Sequence, residues 1–549
     1  CWTSGWLSGF WPPRRSPCRS AMLKTVAADQ PARAKPILFT LIAVAGVANL
    51  NLAVANVALP SIGRAFDASQ ASLNMIAVGF SLGLAGSVLY LGALGDRYGR
   101  KLLLLLGTSL SIPAALLAAF AWNESILIVA RIAGGVCAGM AYPTTLALIT
   151  ALWADGPART AAIAKWSAIG GGVMVLAPLA AGWLLEHFGW GSVFLITIPL
   201  AAIAFLLAWR LVPAHVNETT EPVDQFGGML SIVLIAGLVL TINFAPMPNG
   251  GVLALIFAGI TVVAGVLFVR QQRRAVNPLY DLDVAKRRLF WVAAVAGIIV
   301  FGTLMGTMYI GQQYLQNVLQ YSPLSSGVAV IPMSLAMIAV AGLSAKMVVS
   351  RGSRVTLLVG YACIAAGFVA MLVLWTEDTK YWAIAMAYMF VGLGVGFAGT
   401  PASHTLTASV PVKRAGMASG TADLQRDLGG AVMQSILGVL LTLGYATAMA
   451  KVVAASPQAT QVTDATTTQL QKSFSSAEAL AEQYPQYADA IEEAARAAFL
   501  QGANWAYAAG ILAMALGAAV TLLRYPKHDG EKADLAEYAK QDAVQTPVG

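Results

Sequence analysis

The chain has 549 residues, of which 58% are hydrophobic and only 11% are charged. Soluble proteins carry roughly twice this share of charged residues, so the composition excludes a soluble globular protein of this length. In a soluble protein the net charge of +8 would suggest a nucleic-acid partner, whereas in a membrane protein such an excess is concentrated in particular loops. The composition therefore predicts an all-α membrane protein with many transmembrane helices and no nucleic-acid partner.

The N-terminal segment, residues 1–36, is predicted to lie in the cytoplasm. Its first part, residues 1–21, precedes the first methionine, Met22, and contains the sequence PPRR where a signal peptide needs an uninterrupted apolar stretch. We therefore expect that residues 1–21 are not native and that the natural chain begins at Met22.

Fourteen apolar stretches each reach the roughly 20 residues that a helix needs to cross a bilayer. The first six are 37–59, 74–94, 102–121, 125–149, 163–185 and 193–212. Two more, 226–246 and 251–270, precede a basic linker, and the last six are 290–315, 326–348, 355–374, 381–403, 416–446 and 503–523. The sequence thus predicts two six-helix halves, 37–213 and 290–524, joined at 214–289 by two extra transmembrane helices and the basic linker.

Lysine and arginine residues flank mostly one side of these predicted helices. Loops rich in these residues stay in the cytoplasm, so both termini are predicted to be cytoplasmic, with residues 525–549 as a cytoplasmic tail. The segment 447–502 is then one long outer loop. Within it, residues 476–499 have the composition of an amphipathic surface helix, and a solvated loop with helical tendency is an equally open interpretation.

A charged turn, GALGDRYGRK at 92–101, lies between the second and third predicted helices. Its glycines allow a tight turn, its aspartate can meet a helix N-terminal dipole, and its three cations favour the inner leaflet of the membrane. A short polar turn between any two transmembrane helices would carry charges too. The turn is therefore a candidate for a special role rather than proof of one.

This turn resembles the signature turn of the major facilitator superfamily, and the chain from Ile37 to Tyr525 is similar to the fourteen-helix drug:proton antiporter branch of that family. Further matching segments are VALP at 57–60, GWGSVFLITIP at 189–199, VDQFG at 223–227 and YLQNVLQYSPLSSGVAVIP at 314–332. The resemblance implies the major facilitator fold and a multidrug exporter-like secondary transporter that works by alternating access. Its expected partners are a small-molecule substrate, protons and the lipid bilayer of the plasma membrane.

The resemblance also assigns roles to two motifs. A cytoplasmic gate is implied for Gly92, Asp96, Arg97, Gly99, Arg100 and Lys101, with the aspartate engaging the helix that begins near Gly416. The segment GGGVMVLAPLAAG at 170–182 resembles the antiporter motif of the fifth helix and keeps Pro178 and Gly182. Small residues in such a segment allow close helix packing and a kink.

Ionisable residues inside the predicted helices are few and are functional candidates by default. Arg131 matches the buried arginine of the family's fourth helix. The family usually has an aspartate on the first helix at the position that is Asn51 here. An asparagine can hydrogen-bond Arg131 but cannot take up a proton, which leaves open an uncoupled or differently coupled exporter of a metabolite or lipid.

Three charged residues in the segment SGTADLQRDLGG, Asp423, Arg426 and Asp427, fall on one predicted helix. Their spacing permits a local salt bridge, which is the simplest interpretation. We hypothesise instead that Asp423 carries the coupling proton, because burial and the neighbouring arginine shift its proton affinity in opposite directions.

Two sets of polar residues are candidates for the substrate path. Asn49 and Asn56 share one face of the first helix, and Tyr309, Gln313 and Gln316 form a stripe on the first helix of the second half. Packing between helices and an interfacial polar rim are the alternatives for these two sets.

Other classes of protein have less support. A membrane sensor or scaffold that has lost transport is an alternative, against which the presence of charges at Asp96, Arg131 and Asp423 argues. The sequence shows no cluster of nucleophile, acid, base or metal ligands, so neither an enzyme nor a cofactor or metal site is predicted. We expect the protein to be a monomer.

Overall fold

The computed structural model describes residues 31, 33–153, 157–214, 222–247, 250–410, 415–456 and 462–544. Helices make up most of these ranges, and no strand occurs in them. The segment 1–21 and the assumed start at Met22 lie outside the described residues.

The helices are labelled in chain order. Those of the first half are α1 (Ala34–Phe66), α2 (Gln70–Tyr98), α3 (Arg100–Ala119), α4 (Glu124–Leu152), α5 (Pro157–His187), α6 (Ser192–Leu195) and α7 (Thr197–Leu211). The connecting region contains α8 (Gln225–Phe244), α9 (Gly251–Arg274) and α10 (Leu282–Ala285). The second half contains α11 (Arg288–Gln313), a π-helical turn (Tyr314–Val318), α12 (Pro323–Val328), α13 (Ile331–Arg351), α14 (Ser353–Leu374), α15 (Tyr381–Ala408), α16 (Ala415–Ala455), α17 (Asp464–Lys472), α18 (Phe474–Gln483), a 3-10 turn (Pro485–Tyr487), α19 (Ala488–Arg524) and α20 (His528–Val544).

Thirteen helical stretches in the described part of the chain are long and apolar enough to cross a membrane. They coincide with thirteen of the predicted transmembrane segments. The remaining segment, 163–185, lies within α5, a helix of 31 residues whose side chains are only partly described. The prediction of an all-α protein with many transmembrane helices is confirmed, and the total of fourteen stays a prediction.

Polar caps explain several of the helix boundaries. Ser69 Oγ accepts a hydrogen bond from the backbone N–H of Ser72 at the start of α2, and Asn123 Oδ1 accepts one from Ile126 at the start of α4. Such side chains satisfy backbone N–H groups that a helix leaves unpaired at its N terminus. These polar residues fall between the apolar stretches, so the boundaries follow directly from local sequence.

The two halves meet most extensively where α2 packs against α16, and also where α5 packs against α12. We call the end of the bundle that carries the turn between α2 and α3 the charged end, and the end at which α1 passes to α2 the opposite end. The described part of segment 447–502, which was predicted to be one long outer loop, is largely helical: it contains the end of α16, then α17 and α18, and the start of α19. Residues 476–499 therefore belong to two packed helices rather than one.

The inserted helix α8 fills the seam between α2 and α16. Near the charged end the Tyr90 hydroxyl hydrogen-bonds Gln225, and in the middle Val239 of α8 packs with side chains of α2 and α16. Toward the opposite end, Asn74 Nδ2 donates to Asn243 Oδ1 and Asn243 Nδ2 donates to Ser435 Oγ, both at 2.7 Å. Helix α8 is therefore bonded to both halves, whereas the apolar side chains of α9 are mostly exposed, as expected of a helix that faces lipid.

Candidate functional site

A cavity of about 260 Å³ lies between the two halves. First-half residues that line it include Asn49, Asn56, Tyr142, Trp166 and Gly170. Second-half residues that line it include Phe301, Met305, Met308, Met333, Met337 and Arg426. The two halves therefore contribute different side chains to the cavity wall. Amide and aromatic side chains face the cavity from the first half, and flexible methionines, which adapt to irregular apolar shapes, face it from the second.

The three asparagines of α1 face different surroundings, as their spacing predicts. Asn49 and Asn56 line the cavity, and Asn51 does not. Asn49 Nδ2 also donates to the carbonyl of Gly170 at 3.3 Å, so this amide joins α1 to α5. Both cavity asparagines stay candidates for substrate contact, and the packing interpretation has direct support at Asn49.

The predicted polar stripe on α11 does not line the cavity but seals it toward the opposite end. Gln70 Nε2 of α2 donates to the Tyr309 hydroxyl at 3.0 Å and to Gln313 Oε1 at 2.9 Å. Gln316 Nε2 donates to the carbonyl of Val57 in α1 at 2.9 Å. All these side chains are buried, so they form a hydrogen-bonded seal between the halves. Gln70 was not singled out from the sequence.

Replacement of Gln70 by leucine is expected to loosen this seal. Losing two buried hydrogen bonds between the halves shifts the equilibrium toward opening by about fivefold or more. The measurement is the rate at which a cysteine at cavity position 308 (Met308→Cys) reacts with a membrane-impermeant thiol reagent applied at the opposite end, with the native cysteines removed. The control Gln483→Leu, at an exposed position of the same end, should leave the rate unchanged. An unchanged rate in Gln70→Leu would contradict the seal.

A second layer of contacts covers the opposite end. Asp67 follows α1 and accepts hydrogen bonds from Lys472, Ser476 and Gln469 at 2.6 to 2.7 Å. Partial burial raises the pKa of Asp67, but the three donors outweigh it and hold that pKa below its usual value. Arg64 lies 3.2 Å from Glu478, whose pKa is raised by burial against the opposing effect of this arginine. Helices α17 and α18 are thereby fastened to the first half.

This fastening is expected to depend on pH through Asp67. A carboxylate whose pKa is lowered by folding stabilises its contacts above the ordinary carboxylate pKa, and this contribution is lost as the pH falls through the lowered value, below about 4. Hydrogen-exchange protection factors in α17 and α18 should therefore fall between about pH 5 and about pH 3. The fall should disappear in Asp67→Asn, because the pKa of Glu478 is raised and its protonation at low pH favours the folded contacts. Equal falls in the two proteins would rule out Asp67 as the cause.

Arg131 is buried, with 2% of its surface exposed, and is held by backbone carbonyls. Its Nη1 donates to the carbonyl of Asn51 at 2.8 Å and its Nε to that of Ile76 at 3.3 Å, while the rings of Phe80 and Phe194 flank the guanidinium. The side-chain amide of Asn51 instead donates to a carbonyl of its own helix. Arg131 and Asn51 are brought together, but through the backbone, and no carboxylate of the described residues pairs with this arginine.

The charged group on α16 is arranged around Arg426. Its Nε lies 3.3 Å from Asp427 Oδ1, its Nη1 donates to the Tyr142 hydroxyl at 2.7 Å, and its guanidinium lies over the Tyr142 ring. The paired acid is thus Asp427, which is almost fully buried, and not Asp423, which is half-buried. Because Arg426 also lines the cavity, this group connects the in-helix acids to the space between the halves.

Several contacts within the first half hold the charged turn at 92–101. Asp96 accepts from Arg100 at 2.8 Å, Arg100 donates to the carbonyl of Ala147 in α4, and Lys101 donates to that of Trp209 in α7. Gly99 ends α2 with a φ of 115°, a conformation that favours glycine, and α3 begins at the next residue. The expected partner of Asp96 near Gly416 lies among side chains outside the described set.

The remaining motif residues differ in their surroundings. Arg97 has an interaction in the structure, whereas no described atom lies within 4 Å of the position that a Cβ at Gly92 would occupy. Around Pro178 and Gly182, α5 approaches α12 closely: a Cβ at Gly182 would lie 2.5 Å from the carbonyl of Pro323, and one at Gly327 would lie 2.6 Å from that of Pro178. The fifth-helix motif therefore lies at a tight contact between the halves.

Two helical halves around a cavity that is hydrogen-bonded shut at one end define a membrane transporter of the alternating-access type. The chain belongs to the Major Facilitator Superfamily, whose family model matches residues 41–433. It is 34% identical to the multidrug efflux pump LfrA of Mycolicibacterium smegmatis over 71% of this chain and 77% of LfrA. It is 30% identical to the multidrug resistance protein Stp of Mycobacterium tuberculosis, over 71% of this chain and 73% of Stp, and 32% identical to the methyl viologen resistance protein SmvA of Salmonella typhimurium, over 72% of this chain and 80% of SmvA.

Solved structures share the fold. A peptide transporter POT in complex with sulfate matches with a TM-score of 0.60 at 14% identity, covering 92% of this chain and 99% of that one. A bacterial homologue of the lysosomal transporter Spinster in an inward-facing conformation matches with a TM-score of 0.58 at 15% identity, covering 91% of this chain and 97% of that one. At these identities the match shows the fold alone. The predicted family is confirmed, and the chain is a transporter.

Proposed function

We propose that this protein exports drugs or amphipathic metabolites across the plasma membrane in exchange for protons. The observation that carries the proposal is the cavity between the halves, sealed toward the opposite end by the bonds of Gln70 and Gln316. Its mixture of amides, aromatic rings and methionines suits amphipathic molecules of varied shape. The relatives named as multidrug efflux pumps support export of such molecules.

We infer that the charged end faces the cytoplasm, so that the cavity takes up its cargo from the cell interior. Lys101, Arg287 and Arg288 lie at this end, and loops rich in lysine and arginine remain cytoplasmic. Both termini are then cytoplasmic. We also propose that one chain is the transporting unit, since the cavity is formed by the two halves of a single chain.

Asp423 is the proposed carrier of the coupling proton. The partly buried Arg426 already has Asp427 as its ion-pair partner, so a proton added to Asp423 does not break that salt bridge. The half-buried side chain of Asp423 lies one helical turn from a residue that lines the cavity, which gives its charge a route to affect cargo binding. Arg131 with Asn51 supplies no proton acceptor of this kind.

A second candidate function is export without proton coupling, or with another coupling ion, of a metabolite or lipid. The observation that favours it is Arg131, which is held by carbonyls and has no acid at position 51. The deciding experiment uses purified protein in proteoliposomes and measures proton flux and cargo flux together, with a fluorescent amphipathic dye as cargo. Proton-coupled export requires the two fluxes to rise together, whereas cargo flux without proton flux supports the second candidate.

A further inference from the structure

The turn between α13 and α14 is the second-half counterpart of the charged turn between α2 and α3. In each, a helix ends at a glycine with positive φ, Gly99 at 115° and Gly352 at 87°, and the next helix begins at the following residue. The first turn has Asp96 three positions before its glycine. The second turn has Val349 at that position, and its side chain is 77% exposed. The second turn therefore lacks an acid of its own.

The missing carboxylate comes from the C-terminal helix α20. Glu531 is buried, with 6% of its surface exposed, and its Oε2 accepts a hydrogen bond from the backbone N–H of Ser353, the first residue of α14, at 2.9 Å. A carboxylate at this position satisfies an N–H group that the helix cannot pair and favours the positive end of its dipole. Glu531 thus bonds the first residue of α14, as Asp96 bonds Arg100, the first residue of α3, although Glu531 accepts from a backbone N–H and Asp96 from a side chain.

Glu531 also connects this turn to two other helices. Its Oε1 accepts from the Tyr525 hydroxyl at 3.1 Å, just after the end of α19, and that hydroxyl is 2.8 Å from Thr405 Oγ1 in α15. At the far end of α20, Asp542 forms an ion pair with Arg287 at the start of α11. One helix therefore joins the charged ends of α11, α14, α15 and α19.

Arg287 strengthens this attachment. It also donates to the carbonyl of Ser409 at 2.7 Å, directly after α15, and lies over the ring of Tyr538 in α20. These residues are mostly buried from solvent, with 12% of the Arg287 side chain and 19% of the Asp542 side chain exposed. Charge-assisted hydrogen bonds between such partly buried groups contribute more to stability than ion pairs at the surface.

We propose that Glu531 is a positioning residue for transport, because it fixes the α13–α14 turn and makes the charged end of the second half move as one unit. Alternating access requires each half to move as a nearly rigid body. A second half whose helices shift separately at this end would complete the conformational cycle more slowly. The cargo-binding cavity lies elsewhere, so cargo affinity is not affected.

The test uses the full chain in proteoliposomes and measures initial rates against dye concentration, together with hydrogen exchange at the backbone of Ser353. Glu531→Ala should speed exchange there by about tenfold and lower the maximal rate by about fivefold, with the dye concentration for half-maximal rate changed less than about twofold. Glu531→Gln, whose amide oxygen still accepts from Ser353, should restore most of the rate. The control Glu537→Gln, at an exposed position of the same helix, should match the unmodified protein.

Two results would overturn the proposal: faster exchange in Glu531→Ala with an unchanged maximal rate, or unchanged exchange at Ser353. If Glu531→Ala does not accumulate as folded protein, Tyr525→Phe removes only the hydroxyl that joins Glu531 to Thr405, and its maximal rate must fall for the proposal to stand. The proposal rests on transport but not on proton coupling. An unmodified protein that moves dye without protons would contradict only the proposed coupling, and the comparison of Glu531 variants would still decide the role of α20.

Discussion

Replacement of Asp423 by asparagine is expected to lower dye accumulation driven by a pH gradient by at least about tenfold. The amide keeps the size of the side chain but cannot take up a proton. Exchange of dye across the membrane without a gradient should persist, because the cavity and its seal are unchanged. The measurement is accumulation and exchange by the same proteoliposome preparation, each normalised to the amount of folded protein.

The variant Asp427→Asn distinguishes a loss of proton coupling from a loss of structural stability in the same helix. Asp427 is the ion-pair partner of Arg426, so its loss leaves a largely buried guanidinium with the nearby Asp423 but without its bonded counter-charge, which is destabilising. Both accumulation and exchange should then fall, unlike in Asp423→Asn. The exposed Asp529 of α20 provides a surface control, Asp529→Asn. Full gradient-driven accumulation by Asp423→Asn would show that the proton site lies elsewhere.

Gly83→Val is expected to destabilise the first half by about 3 kcal/mol or more, because α2 and α4 touch through their backbones at this point. A Cβ at Gly83 would lie 2.1 Å from the carbonyl of Ile132, and one at Gly135 would lie 2.1 Å from that of Phe80. Small residues allow this approach between membrane helices. The two helices would have to move apart to admit a branched side chain.

Gly86 provides a matched control three residues further along the same helix. No described atom lies within 4 Å of the position that its Cβ would occupy, so Gly86→Val has the same intrinsic effect on the helix without the clash. Thermal unfolding in detergent, followed by tryptophan fluorescence, should show a midpoint several degrees lower for Gly83→Val than for Gly86→Val. Equal midpoints would contradict the close packing.

The helices were predictable because the features that define each helix lie close together in the sequence. Apolar length predicted the transmembrane segments. The caps at Ser69 and Asn123, which the sequence analysis did not use, also depend on local sequence because each spans three positions. The turn at Gly99 follows from the same kind of signal, a glycine among charges between two apolar stretches. Its expected contact with the second half stays a prediction.

The seal at the opposite end was not predictable, because its partners are far apart in the chain. Gln70 and Tyr309 are separated by 239 residues, and nothing in either neighbourhood indicates the other. The stripe of Tyr309, Gln313 and Gln316 was recognised as polar, but periodicity alone does not tell a cavity wall from a contact between halves. Asp67 and Glu531 were missed for the same reason, since their partners come from segments that look like ordinary polar loops and tails.

Arg131 shows a different limit of sequence reasoning. Its burial was predicted, and the structure places it beside residue 51 as expected, yet its hydrogen bonds go to the main chain. Every residue carries a backbone carbonyl, so the amino-acid sequence does not show which residue accepts such a bond. The charged group on α16 is a related case, because a bond between the neighbouring Arg426 and Asp427 lies outside the helical spacings of three and four that sequence patterns detect.

The position of α8 has a consequence for how the protein meets its lipid surroundings. This helix fills the groove between α2 and α16 and is bonded to both through Asn243. It therefore separates the contact between the two halves on that flank from the lipid. On the flank formed by α5 and α12, no inserted helix occurs among the described residues. The two flanks therefore present different surfaces to the lipid: an inserted helix on one side, and the direct contact of α5 with α12 on the other.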